Sequence, residues 1–328
     1  MTERFLVTGA LGCIGAWVVR NLVREGLAPV VFDLGGDPHR LRLIMAPDDL
    51  ARVTFVQGDI ADLAALERAL DQHAITKIVH LAALQVPFCK ADPPLGARVN
   101  VVGTVNVFEA VARRKARIDR VVYASSVAVY DSVDADPSGA AVRSDPSGRA
   151  ATLYGVYKQA NEGTARIYWQ DQRVASVGLR PYTVYGPGRD QGMTSMPTRA
   201  MFAAAVGQPF HIPYGGRGDF DYADDVAKMF IACARAPFEG AEIFNIRGSV
   251  AHMREVVAAI EAAAPESAGR ITFAGALLPF PEEFDAAPLA DLIGPLPHTP
   301  LDRAVAETIA LFRARVAEGM LAPDAMLR

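Results

Sequence analysis

Cysteine is scarce in this 328-residue chain: only Cys13, Cys89 and Cys233 occur, far apart and odd in number. They make neither a disulfide framework nor a metal-ligand pattern, so no metal is expected, and the arrangement fits a reducing cytoplasm. No apolar run approaches the ~20 residues that cross a bilayer, so no membrane partner is expected. The N-terminus enters a strand pattern without the basic region and long apolar run of a signal peptide, which points to a soluble, cytoplasmic protein. Excess charge is missing too. The formal net charge is −4 and the longest basic run is Arg113-Arg114-Lys115; on a helix that run is a solvated face, and nothing attracts nucleic acid. Internal repeats and low-complexity linkers are also absent. What remains is an ordinary globular composition, 51% hydrophobic and 21% charged, with enough chain for two lobes.

Short β-branched runs alternate with helical patterns through the first half. Phe5–Thr8, Val30–Asp33, Thr54–Gln57, Ile78–Ala82, Val121–Ser125 and Ala175–Arg180 read as buried strands; Ile14–Glu25, Leu63–Gln72, Gly103–Arg114 and Tyr154–Gln170 read as helices. Continuous apolar strands separated by helices predict an α/β fold, a Rossmann-like doubly wound parallel sheet. Gly, Pro and Ser between Asp134 and Arg149 predict one long exposed loop. After Pro181 the pattern loosens; a helix near Asp224–Ala234 and a strand at Glu242–Ile246 are expected to return to the sheet, followed by two or three helices. The expected division is a nucleotide-binding domain of residues 1–180 plus about 219–247, and a smaller substrate-binding lobe of 181–218 plus 248–328.

Thr8-Gly9-Ala10-Leu11-Gly12-Cys13-Ile14-Gly15 links the first strand to the first helix. Gly9 permits a tight turn, Gly12 lets backbone N–H groups approach a pyrophosphate, and Gly15 lets helix and strand pack closely. The helix start, from Cys13 and Ile14, would present oriented N–H donors to the phosphates. Asp33 ends the second strand about 20 residues on, where a carboxylate binds adenosine ribose hydroxyls and repels a 2′-phosphate, favouring NAD over NADP. Arg40 follows closely and softens that preference. After the third strand, Asp59 is placed to accept from the adenine amino group while Ile60 packs on the ring; Asp59 reads equally as a helix N-cap, a role open to Asp62. Leu81-Ala82-Ala83 is small enough to let a cofactor pass near the backbone.

Tyr154-Gly155-Val156-Tyr157-Lys158 sets a phenol and an ammonium four residues apart, on one helix face. A free tyrosine ionises near pH ~10; a neighbouring cation lowers such a value by about 1–3 units, fitting Tyr154 to accept the hydroxyl proton of an alcohol as hydride leaves. Tyr157 is the rival phenol, but Asn161, not a cation, stands four residues beyond it. Ser126, after the fifth strand, is placed to donate to the substrate oxygen; the pair Ser125-Ser126 also reads as a strand-end cap.

These residues resemble the extended short-chain dehydrogenase/reductase superfamily in its NAD-dependent epimerase/dehydratase branch, over about Phe5 to Ile246. Gly58-Asp59-Ile60, His80-Leu81-Ala82-Ala83, Asn100-Val101-Val102-Gly103-Thr104 and Arg180-Pro181-Tyr182-Thr183-Val184-Tyr185-Gly186-Pro187-Gly188 are similar to its later blocks. The resemblance implies Tyr154 as acid/base, Lys158 as its partner and Ser126 as the catalytic hydroxyl. It also implies that Asn100, Ser125 and Tyr182 border the NAD, although Asn100 reads equally as a helix cap. It places the loop from Gly188 to Pro197 at the substrate, with Arg189, Gln191 and Thr194 facing Gln85 and Thr183. A homodimer is implied, built through helices near Thr104–Arg114 and Tyr154–Gln170.

Two departures narrow the function. Dehydratases of the family carry an acidic pair after the catalytic hydroxyl; Val127 and Ala128 stand there and transfer no protons. In Gly215-Gly216-Arg217-Gly218-Asp219-Phe220 the family's diphosphate-binding Arg position holds Gly218, while Arg217 stands one place earlier, on the opposite face if the segment is extended; Arg217 is still expected among the substrate-binding residues. A small hydroxylated substrate is expected, handled by an epimerase through a transient keto intermediate. The alternatives are a dehydrogenase of a free sugar, sugar acid or polyol with net NADH release, and a non-catalytic NAD sensor.

Overall fold

The computed structural model describes residues 3–131, 134–135, 141–142 and 145–327. Its strands are β1 (Phe5–Thr8), β2 (Val30–Asp33), β3 (Thr54–Gln57), β4 (Lys77–His80), β5 (Arg120–Ala124), β6 (Ala175–Arg180), β7 (Thr183–Tyr185), β8 (Phe210–Ile212), β9 (Arg217–Tyr222), β10 (Ala241–Asn245), β11 (Ser249–His252) and β12 (Ile271–Phe273). Seven form one parallel sheet in the order β10-β6-β5-β4-β1-β2-β3. Its central strands are continuous apolar runs because helices cover both faces; every residue of β1 and β6 is buried. The strand order reverses between β1 and β4, and such a switch point opens a crevice at the carboxyl ends of the strands.

Helices Cys13–Arg24 and Ala223–Arg235 cover one face; Leu63–Gln72, Gly103–Ala112 and Leu153–Gln172 cover the other. The last begins where Thr152 accepts the Gly155 N–H at 3.1 Å, a cap that fixes its first turn. Strand β4 stops at His80 and β5 at Ala124. Both are shorter than the apolar pattern suggests, and Leu81–Ala83 and Ser125–Ser126 are thereby left as loop at the crevice.

The chain from about 219 does not all return to the main sheet. Arg217–Tyr222 instead joins a second sheet, β11-β9-β7, and only the helix Ala223–Arg235 and β10 go back. A third pair, β12-β8, and helices Met196–Ala205, Met253–Ala263, Ala287–Ile293 and Leu301–Ala317 complete this part. Of the loop expected from Asp134 to Arg149, residues 136–140, 143 and 144 lie outside the described residues. It is not exposed throughout: Val142 is buried and bridges to Phe284.

Candidate active site

The glycine loop is held by sterics. Gly9 adopts φ +66°, and a Cβ there would stand 2.5 Å from Ala82 N; a Cβ at Gly15 would stand 2.5 Å from Gly9 O. Any larger residue at either position would push the loop off β4 or off its own helix. No side chain caps the helix that starts at Cys13, and no acid occupies its first turn, so its unpaired N–H groups face a cavity. That cavity is lined by Gly9, Gly12, Cys13, Ile14, Gly15, Asp33, Asp59, Ile60, Leu81, Ala82 and Ala83. Asp33 accepts the Leu11 N–H at 3.0 Å and the Leu34 N–H at 2.9 Å, one bond per oxygen, leaving lone pairs for ribose hydroxyls. Burial raises its pKa, against these N–H groups and Arg40, which lower it. The N-cap of Leu63–Gln72 is Asp62, not Asp59; Asp59 turns to Ala61 N–H and, at 3.4 Å, to Arg98. These residues fit a dinucleotide.

The reacting end of the cavity is lined by Ser125, Ser126, Tyr154 and Lys158. Gly155 lies so close to the Ala128 carbonyl that a Cβ would collide with it; this contact seats the first turn of the Tyr154 helix on the 3₁₀ turn Val127–Val129, whose N-cap is Ser126. The Ser126 hydroxyl draws the pKa of the Tyr154 phenol down, as does the charge of Arg189, but burial is the larger effect and the net shift is upward. Lys158 lies on the same helix face as the phenol. Its Nζ lies 5.5 Å from the Tyr154 ring centre and donates to Ala124 O at 2.6 Å. Burial holds Lys158 down at about 8. Tyr157 points away and donates to Pro93 O at 2.9 Å.

A buried network fixes this helix to the sheet. Glu162, one further turn along the Tyr154–Lys158 face, accepts from Ser125 Oγ at 2.5 Å and pairs with Arg180 through bonds of 2.8 and 2.9 Å. The Ser125 hydroxyl thus donates its proton to Glu162, while the residue still lines the cavity. Asn100 is not a helix cap: fully buried in a π-helical turn, Arg98–Val102, it accepts from Leu84 N–H and donates to Leu84 O. It does not line the cavity; it orders the loop that does.

On the substrate side, Gln85, Tyr182, Arg189 and Thr194 line the main cavity, while Gln191 lines a neighbouring one. Tyr182 belongs with the aromatic wall of Phe280 and Phe284 rather than with the glycine loop. Two expectations fail. Thr183 is buried within β7, since in an extended strand its neighbours Tyr182 and Val184 face the cavity and it faces away. Arg217 points outward to Glu283 at 2.8 Å and Glu282 at 3.8 Å, while Gly218 faces Tyr182. Arg189 donates to Thr194 Oγ1 at 2.8 Å; its buried Nε and the buried Oε1 of Gln85 have no partner. Among the described residues no carboxylate pairs with Arg189. Phe280 and the pair Glu162–Arg180 escape sequence reasoning, since each meets the site only through tertiary packing.

The profile of the NAD dependent epimerase/dehydratase family matches residues 5–246. The UDP-glucose 4-epimerase of Mycolicibacterium smegmatis is 31% identical over 331 residues, covering 94% of this chain and 98% of that protein. UDP-glucuronate 4-epimerase 5 of Arabidopsis thaliana is 33% identical over 230 residues, 68% of this chain but only 52% of that protein; the chain thus spans about half the length of this plant relative. The crystal structure of Thermus thermophilus UDP-glucose 4-epimerase in complex with NAD superposes with a TM-score of 0.78 at 26% identity, covering 95% of this chain and 99% of that one.

Proposed function

Because this chain belongs to the NAD dependent epimerase/dehydratase family, we propose that it works on a carbinol carbon of a sugar-derived substrate, as an epimerase that passes through a keto intermediate. The observation that carries this reading is the opening of Ser126, Tyr154 and Lys158 onto the same cavity as the glycine loop and Asp33. NAD, when bound, supplies a cationic ring that accepts hydride and later returns it. Tyr154 takes the hydroxyl proton of the substrate as its C–H bond breaks, and gives that proton back when the carbonyl is reduced from the other face. Ser126 steadies the oxygen while charge develops on it, and Lys158 adds positive charge on the cofactor side. Val127 and Ala128 line the wall beside them and offer no second acid or base for dehydration.

Arg189 and Gln85 carry the substrate reading. A half-buried cation with a buried, open Nε near the phenol favours an anionic sugar, and a uronate carboxylate fits it; two of the similar proteins named above act, by their names, on UDP-glucose and UDP-glucuronate. A second reading, a dehydrogenase of a free sugar acid, is favoured by Gly218 and the outward Arg217, which leave no cation at the family's diphosphate position.

Mass spectrometry of ligands released on denaturation, followed by NADH absorbance with sugars, sugar acids and UDP-sugars, separates the two. Retained NAD without NADH accumulation supports epimerisation; accumulating NADH replaces it with the dehydrogenase. Tyr154→Phe is expected to lower turnover by roughly 10²–10⁴-fold with NAD binding kept; full turnover in that variant overturns the catalytic assignment.

We also assign residues 1–180 with about 223–247 to NAD binding and the rest to the substrate lobe. No helix among the described residues is long and apolar enough to cross a membrane, and three unpaired cysteines support a cytoplasmic setting. A homodimer is supported by an apolar stripe on the helix Leu153–Gln172, where Val156, Ala160 and Ile167 are exposed and Gly163 faces open space, beside exposed Val102.

A further inference from the structure

The adenosine end of the cavity holds a cation whose charge is already taken. Arg40 lies next to Asp33 through a shared residue: Leu11 donates its N–H to Asp33 Oδ2 at 3.0 Å and accepts from Arg40 Nη1 at 2.8 Å. An arginine beside the ribose-binding carboxylate is ordinarily a site for a 2′-phosphate. Here the other edge of that guanidinium faces Asp190, with Nη2 to Oδ1 at 2.6 Å and Nε at 3.1 and 3.2 Å from the two oxygens. His39 reaches the same carboxylate at 3.2 Å. Arg40 and Asp190 are mostly buried, at 13% and 22% side-chain exposure, so the pair is only partly screened by water.

We propose that Asp190, on the loop that carries Arg189 and 150 residues away from Arg40 in the chain, is a specificity-determining residue that excludes NADP by neutralising Arg40. With Asp33 at −1, Arg40 at +1 and Asp190 at −1 the site carries −1, and a phosphate dianion meets repulsion. With Asp190 replaced by a neutral residue the sum is zero and the guanidinium fork is free for bidentate phosphate binding. Asp33 alone does not achieve this, because Arg40 beside it offsets its charge. The substrate loop thereby helps to choose the cofactor. This inference rests on NAD occupying the glycine-loop cavity and on no assumption about the substrate.

The test is calorimetric titration of NAD and NADP into nucleotide-free protein, which reads binding independently of turnover. Asp190→Asn is expected to tighten NADP by roughly ten-fold while NAD changes by less than about three-fold, and the gain is expected to vanish in the double variant with Arg40→Gln. In the otherwise unaltered protein, Arg40→Gln takes that sum from −1 to −2 and is expected not to tighten NADP. An NADP affinity unchanged in Asp190→Asn while NAD still binds, or a gain that survives in the double variant, overturns the proposal.

Discussion

Lys158 keeps its charge in a place that opposes charge. Burial lowers its pKa to about 8, against the opposing influence of Cys89 and Glu162, so the ammonium is complete below that value and lost above it. If its cation supports catalysis, kcat/KM falls as pH rises through about 8, and Lys158→Met removes this alkaline limb together with most of the activity; a limb that persists in the variant belongs to another group. At this scale the sequence was informative where chemistry depends on short spacings. The glycine trio and the Tyr154–Lys158 interval are read within a single turn or loop. Thr183 and Arg217 misled because an extended strand reverses its facing at every residue, and the start of that alternation is set by partners far away in the chain. The charge that Arg189 adds near the phenol is likewise a matter of tertiary proximity.

Strand β9 carries an acidic pair into the core. Asp219 and Asp221, two residues apart and on one face, are almost wholly buried; each accepts one backbone N–H, from Gly248 and Tyr182, and each has one oxygen without a partner. Burial raises both, Asp221 to about 7. Between the ordinary carboxylate value near ~4 and that figure, the folded protein keeps a proton that the unfolded chain has released, so stability falls as pH rises through this window. Asp221→Asn is expected to narrow the loss of Tm between pH 5 and 8 by roughly 3–6 °C. His80, pushed down to about 3 by burial, acts in the opposite sense and cancels when variant and wild type are compared. An identical loss in both proteins removes Asp221 from the account. Long elements such as Leu153–Gln172 were legible from period. β7, with three residues, and the π turn around Asn100 were not, because so short a segment has no period to read.

For the whole molecule, the alternation of strands and helices pointed to the doubly wound sheet, since a parallel sheet needs helical crossovers between its strands. It did not reveal the second sheet, whose three strands pair across intervals that no local pattern spans. The apolar stripe along Leu153–Gln172 belongs to this scale as well. Ile167→Glu is expected to convert a dimer to a monomer in light scattering while the isolated fold keeps its Tm, because Ile167 is exposed in the single chain; a wild-type monomer, or a variant that stays dimeric, rejects that surface. One feature of the main sheet bears on how the protein is made. β10 pairs with β6, yet β7, β8 and β9 come between them in the chain. During synthesis the edge of β6 therefore stays bare until the ribosome has passed residues 181–240, and an unpaired edge of buried apolar sequence is where nascent chains stick to one another.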